Sequence, residues 1–403
     1  MSKSILWINE ESRHWGGCET YICNTVKYMK SQGWTNQLLY NFQSEAEQSF
    51  TSLFDESYPV VEIGKQIESL NPDIIFVNRW KGQELYRYLT ESAIPVLKMY
   101  HDSTAFCLRN HGMNYFTGKA CNKCLGLNCL LDLGFIGRGN GITGLSWNSL
   151  SEKMQNLTLN RKLSAFLVAS DYMVEVLNQH KFPKDRIHKI PLFVKSPVDI
   201  DKSLPSDTDG GGNQGRQKNL ILFAGQLIRG KGVDLLISAL SNLKNDFKAM
   251  IVGSGNELLK LRNQAEDLGI SDKVTFVGRV PQEELAKYYR EAALVVVPSR
   301  APETFCLVGP EAMSYGTPVV GVDVGGITEW LKDNVNGLLV AGYNPEALSE
   351  AIDRLLSDPD TARRLGERGR VDYENKFHIN SYGKQFSSLI ESLIQGNKGE
   401  VTA

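Results

Sequence analysis

The chain predicts an α/β protein built from two doubly wound domains, each a parallel sheet with helices on its faces. Three observations predict it. Short apolar runs alternate with helix-period segments on both sides of a break in the chain. The break, residues 196–217, is rich in Gly, Asp, Ser and Pro, and cannot bury enough apolar area to order itself, so it reads as a linker. The length, 403 residues, suits about two domains.

The elements follow in order. Residues 4–8 are a short apolar strand. A polar stretch, 9–15, leads to Gly16-Gly17, after which Cys18, Tyr21, Ile22, Val26 and Met29 fall at helical spacing, and Gly33 is a natural stop. Residues 37–40 are the next strand, and strand–helix–strand implies a parallel pair. Further strands are expected at 73–77, at 95–100 ending on His101-Asp102, at 165–169 and at 187–193. Residues 103–150 lose the period. After the linker come strands at 219–224, 247–252, 274–277, 293–297 and 318–322. Helices are expected between them at 233–243, 257–268 and 283–292, with another beginning at 310–315. Residues 346–370 read as helical. A last helix near 379–394, with apolar Phe386, Leu389 and Leu393, is expected to pack back on the first domain.

Composition narrows the function. The net charge is −2, which argues against nucleic-acid binding, where a basic excess is usual. The first 195 residues are mildly basic, with Lys181, Lys184, Arg186 and Lys189 close together. That cluster reads as a solvated surface, or as a weak peripheral contact with an anionic membrane. No run of 18 apolar residues is present, so no transmembrane helix is expected. Residues 4–8 are too short for a signal-peptide core and lack a cleavage site, which points to the cytoplasm. Seven Cys should then be mostly reduced.

The chemistry concentrates at 298–320. Glu303 lies in a loop after a strand, and Glu311 stands about one turn into the following helix, which starts near Leu307. At a rise of ~1.5 Å per residue the two are at most roughly 12 Å apart. Free amides at the helix start make an anion site between them. A nucleotide sugar has this layout: hydroxyl-rich sugar, diphosphate, hydroxyl-rich ribose.

The segment resembles the E-x(7)-E motif of the family-4 retaining glycosyltransferases. The run 311–320, then Gly325-Gly326 with Glu329, and Asn336-Gly337 resemble that family too. So do Ala224-Gly225-Gln226, the stretch Arg229-Gly230-Lys231-Gly232, and Gly253 with Gly255. The likeness is strong over 219–340 and loose in the first domain. It implies the GT-B fold, two Rossmann-like domains facing each other across a cleft: residues 1–195 for the acceptor and 218–377 for the donor, with 378–403 returning to the first. It implies that Lys231 contacts the donor diphosphate, where a fixed cation lowers the barrier to its departure. Glu303, Thr304, Phe305, Cys306, Leu307 and Glu311 would line the donor site, with Arg279 beside the nucleotide base. Gly16 and Gly17 match the family's Gly-rich loop and are expected to bind the donor, and His101 matches the active-site histidine, with Asp102 placed to orient it. Two positions depart from the pattern. Gln226 stands where the family usually has Arg, so Arg229 is the expected substitute. Cys306 stands where it usually has Gly.

The resemblance further implies front-face displacement with retention, and no metal in catalysis. Asp199, Asp201, Asp207 and Asp209 lie in the linker and read as solvated acids. The expected donor is a UDP-sugar ahead of a GDP- or ADP-sugar. The expected acceptor is a glycan or glycolipid hydroxyl in surface polysaccharide or lipopolysaccharide synthesis. An epimerase or phosphorylase would need groups that do not stand out. A catalytically degenerate binding partner is the other reading, and Gln226 and Cys306 are its support.

Cys107, Cys121, Cys124 and Cys129 lie within 23 residues in a C-x(13)-C-x(2)-C-x(4)-C pattern. Four thiolates at such spacing suit a structural zinc, with His111 able to replace one. A redox pair, Cys121/Cys124, and free thiols are the alternatives. Cys18, Cys23 and Cys306 read as buried or loop residues.

Overall fold

Apolar runs buried on both faces make most of the strands, as parallel sheets flanked by helices require. The computed structural model describes residues 3–14, 16–110, 112–114, 120–121, 123–138, 145–195 and 216–401. The chain divides into two units. The first comprises Met1–Asn110, Lys123–Ile190 and Ile379–Ala403; the second comprises His111–Asn122 and Pro191–His378. The sequence assigns all of 103–150 to the first domain, whereas residues 111–122 group with the second unit. The expected linker lies outside the described residues except for its last two, and these are anchored. Arg216 donates from Nη2 to the carbonyls of Tyr315 and Gly316, at 3.1 and 3.3 Å. The Gln217 amide donates to Glu291 O at 2.8 Å.

The first unit holds nine strands among the described residues: β1 Ser4–Asn9, β2 Thr35–Tyr40, β3 Glu56–Pro59, β4 Ile74–Arg79, β5 Val96–Met99, β6 Ile136–Arg138, β7 Leu145–Trp147, β8 Ala165–Val168 and β9 Ile187–Lys189. Seven form one parallel sheet in the order β3-β2-β1-β4-β5-β8-β9, and β6 pairs with β7 as a separate antiparallel ribbon. The order turns back between β1 and β4, the crevice where ligands of open parallel sheets bind. The helix Gly17–Ser31 follows β1 and buries Tyr21, Ile22, Val26 and Met29, the face its spacing predicts. β9 stops at Lys189, short of the expected 193. The C-terminal helix runs Ile379–Val401. Its buried stripe is Tyr382, Phe386, Ile390 and Ile394, while Leu389 and Leu393 are only half-buried. The stripe repeats every four residues, and the two leucines flank it.

The second unit holds β10 Leu220–Ala224, β11 Lys248–Val252, β12 Val274–Gly278, β13 Leu294–Val297, β14 Val319–Val322 and β15 Leu338–Val340. They form a parallel sheet in the order β12-β11-β10-β13-β14-β15, which turns back between β10 and β13. The loops at the strand ends are stacked main chain on main chain. A Cβ on Gly253, at φ +140°, would lie 1.8 Å from Gly225 O, and one on Gly232, at φ +68°, would lie 1.9 Å from Pro298 O. Only glycine fits either place. No helix among the described residues is long and apolar enough to cross a membrane.

Candidate active site

At the turning point of the second sheet, β10 and β13 deliver two loops side by side. The β10 loop ends in a tight turn, Arg229–Lys231, whose Gly230 carbonyl accepts from the amides of Arg300 and Ala301, at 2.8 and 2.9 Å. The turn brings Lys231 to the β13 loop. There Lys231 Nζ donates to Glu303 Oε1 at 2.8 Å, and Ser299 Oγ donates to the same oxygen at 2.6 Å. The Glu303 main chain is held as well: its carbonyl accepts from the Gly326 amide at 2.6 Å. Both side chains of the ion pair are largely buried, 28% and 13% exposed. Burial alone would lower the Lys231 pKa, but the Glu303 carboxylate outweighs it and holds the ammonium charged well above the ordinary lysine range.

The rest of the loop is rigid for identifiable reasons. Phe305 is buried, and its carbonyl accepts from Trp330 Nε1 at 2.6 Å. Cys306 sits at φ +67°, a left-handed conformation that favours glycine. Burial pushes its thiol up to about 12, with Glu303 adding to the rise. Leu307 precedes the helix Val308–Ser314, which carries Glu311 in its first turn. Glu311 Oε2 accepts from Tyr289 OH at 2.7 Å, and burial together with that carboxylate keeps Tyr289 a phenol. Thr304 is half-buried beside Phe305.

The structure therefore places Lys231, Glu303, Thr304, Phe305, Cys306 and Leu307 in one neighbourhood, where Glu311 couples electrically to Cys306. Arg229 is exposed on the same turn, and so is Gln226 three residues before it. Arg279 follows Gly278 at the end of β12, exposed, one strand beyond the loop of Gly253. Ser299 and Tyr289 have no motif signal; their roles arise from residues that meet only in the fold.

The turning point of the first sheet gathers a second polar group. Asn9 ends β1, Asn78 and Arg79 end β4, and His101-Asp102 follow β5. Asn78 Nδ2 donates to Asn9 Oδ1 at 2.8 Å, and His101 Nε2 is hydrogen-bonded to Asn78 Oδ1. An amide oxygen only accepts, so the imidazole carries its proton on Nε2. Burial drives the His101 pKa down to about 3, Asp102 notwithstanding, so the ring is neutral. Tyr21 packs edge-on against it at 4.8 Å. Asp102 pairs with Arg79 Nη2 at 2.8 Å and accepts from the Thr104 amide. Asn78 is one partner that orients the ring. Gly16 and Gly17 open the helix that brings Tyr21 here.

Among the described residues, no three His, Cys, Asp or Glu side chains converge as a metal would need. Cys124 Sγ instead points at the carbonyl of Gln179, at 3.6 Å. His111 lies outside the described residues.

Comparison with known proteins bears on the whole chain. Residues 211–372 match the family model described as glycosyl transferases group 1. An uncharacterised glycosyltransferase of Methanocaldococcus jannaschii is 31% identical over 247 residues, which cover 60% of this chain and 63% of that protein. A D-inositol 3-phosphate glycosyltransferase of Corynebacterium urealyticum is 27% identical over 94% of this chain and 91% of its own. The chain spans 63%, 60% and 42% of the length of three curated relatives it matches. Among solved structures, Anabaena HepE in complex with UDP and glucose aligns at TM-score 0.69 and 18% identity, over 97% of this chain and 100% of that one. Sucrose-phosphate synthase of Thermosynechococcus elongatus aligns at 0.71 and 20%, over 98% and 100%. At such identities the likeness carries the fold, which is the two-sheet α/β architecture of GT-B proteins.

Proposed function

We propose that the chain, whose residues 211–372 match the family model described as glycosyl transferases group 1, is such a transferase and moves a sugar from a nucleotide-sugar donor to a hydroxyl of a glycan or glycolipid. The observation that carries this is the Lys231–Glu303 pair at 2.8 Å, held on the turning point of the second sheet. A permanently charged ammonium beside the loop and helix start of Glu303–Glu311 is what a departing diphosphate requires. Negative charge grows on the leaving group, and a fixed cation stabilises it without reorganisation. Glu303 and Glu311 then accept from hydroxyls at the two ends of the donor. The donor is of the UDP type. Support comes from HepE, a structural neighbour solved with UDP and with UDP-glucose. In this reading Lys231 supplies charge that a divalent ion supplies in other transferases, and the product retains the donor's configuration. The neutral His101 belongs to the acceptor side, within the first unit. Synthesis of a surface polysaccharide or lipopolysaccharide is the setting in keeping with the family, with at most a peripheral membrane contact.

The test is release of UDP from UDP-glucose by the purified chain, with and without EDTA. Turnover that survives EDTA and falls at least 100-fold in Lys231→Ala is the expected result. Full activity in Lys231→Ala would sink the site. A second reading is a silent nucleotide binder, favoured by the strained Cys306 beside Glu303. UDP binding without turnover on any of the UDP-, GDP- and ADP-sugars would select it.

A further inference from the structure

After Asn110 the chain leaves the first unit, and residues 111–122 group with the second before the chain returns at Lys123. Two described arms of this excursion, 112–114 and 120–121, are tied to each other. Met113 and Ala120 pair as an antiparallel bridge, and the Cys121 amide donates to Gly112 O at 2.7 Å. Both arms lie against the loops that carry Lys231.

One arm packs on the lysine turn itself. Gly230 is buried in the middle of Arg229–Lys231. A Cβ there would lie 3.1 Å from Ala301 Cβ and 3.4 Å from Met113 Sδ. Met113 is buried, and its thioether covers the face that the glycine leaves bare. The other arm reaches the same residue through hydrogen bonds. The Ala120 amide donates to Tyr343 OH at 3.4 Å, and that hydroxyl donates to Arg300 O at 2.9 Å. A hydroxyl can do both at once. The Arg300 guanidinium lies 5.7 Å from the Tyr343 ring and makes two bonds to Asp234, at 2.8 and 3.2 Å. The Arg300 amide donates to Gly230 O at 2.8 Å. Both routes therefore end at Gly230, the residue before Lys231. A three-residue turn has few bonds of its own, so its neighbours decide where it stands. Its position matters, because a group misplaced by about 1 Å can lose roughly a hundredfold in effect.

We propose that Met113 and Tyr343 are positioning residues of the donor site, fixing the Arg229–Lys231 turn and so the Lys231 ammonium against the donor diphosphate. The inference rests on the glycosyltransferase reading and assigns part of its donor site to a segment outside the family's motifs.

The probe is UDP, titrated into the full chain by calorimetry and, for weak binders, followed by saturation-transfer NMR. Tyr343→Phe and Met113→Ala are each expected to bind UDP roughly fivefold or more weakly than wild type, a part of what a charged hydrogen bond is worth. Met113→Leu, which refills the same space, should restore wild-type affinity. In a Lys231→Ala background Tyr343→Phe should change UDP affinity by less than about twofold, because a residue that acts through Lys231 has nothing left to position. Wild-type affinity in both single variants would overturn the proposal. So would an equal loss with and without Lys231, or a loss in Met113→Ala that Met113→Leu does not repair. A loss of affinity in Tyr343→Phe that comes with a fall of more than about 4 °C in melting temperature marks a purely structural tyrosine and overturns it as well. If UDP fails to bind wild type, the glycosyltransferase reading fails. If UDP binds and ignores Met113 and Tyr343, only this inference does.

Discussion

Cys306 carries a side chain where the backbone asks for none. A left-handed φ of +67° is unfavourable for an L-residue by about 1 kcal/mol or more. Its thiol is buried and feels the charges of Glu303, Lys231 and Glu311, which puts it beside the proposed donor seat. Cys306→Gly is therefore expected to raise the melting temperature by roughly 2–4 °C, the shift for about 1 kcal/mol in a unit of this size. The same change should widen the range of donor sugars hydrolysed. A drop in melting temperature would show that the thiol contributes more packing than strain. Lys98 is the other residue out of place. It is buried in β5, donates to Tyr86 OH at 2.8 Å, and burial lowers its pKa to about 7. The unfolded chain holds this proton up to about 10.4. Between those values the unfolded state binds more protons, so stability rises with pH across about 7 to 10. Lys98→Met should remove that slope, as read from denaturant midpoints at pH 7 and 9.5.

Elements were legible where burial on both faces forces an apolar run. β1, β4, β5, β8, β10, β13 and β14 follow from sequence for that reason. β3 does not, because it is an edge strand whose Glu56, Tyr58 and Pro59 lie near solvent and leave no apolar signature. The helix Ile63–Leu70 was hidden too, being only two turns long with Ile63 and Ile67 as its buried residues. In the C-terminal helix the element was legible but its face was misread. Leu389 and Leu393 look equivalent to Phe386 in sequence, yet Phe386 alone of the three is fully buried. It stacks on Tyr382 and packs edge-on against Phe76, each at 5.6 Å between rings. Phe386→Ala is expected to destabilise the first unit by about 3–5 kcal/mol. Leu389→Ala should be less than half as damaging. Urea melts followed by tryptophan fluorescence report this through Trp7, whose ring lies 6.2 Å from Phe386.

Across the whole molecule, the sequence shows a functional group clearly when its members are close in the chain. Glu303 and Glu311 announce themselves by spacing, and Lys231 by its glycine-flanked turn. Ser299 escapes notice, as do Tyr289 on Glu311 and Asn78 on His101, because only the sheets bring them together. The cysteines are the opposite case: their close spacing is legible in the sequence, while among the described residues no group of three His, Cys, Asp or Glu side chains is arranged to hold a metal. A ligand test uses the same logic at the scale of the protein. Whatever binds only the folded state stabilises it by mass action, about 2.7 kcal/mol at a hundredfold excess over Kd. For a unit of about 200 residues, that corresponds to a rise of roughly 5–10 °C. UDP at saturating concentration should produce such a rise in wild type. In Lys231→Ala the shift at the same concentration should shrink to less than half, because the ammonium is the buried cation facing the proposed diphosphate seat. A flat response in wild type would remove the nucleotide from the second sheet and leave the Lys231–Glu303 pair as a structural clasp.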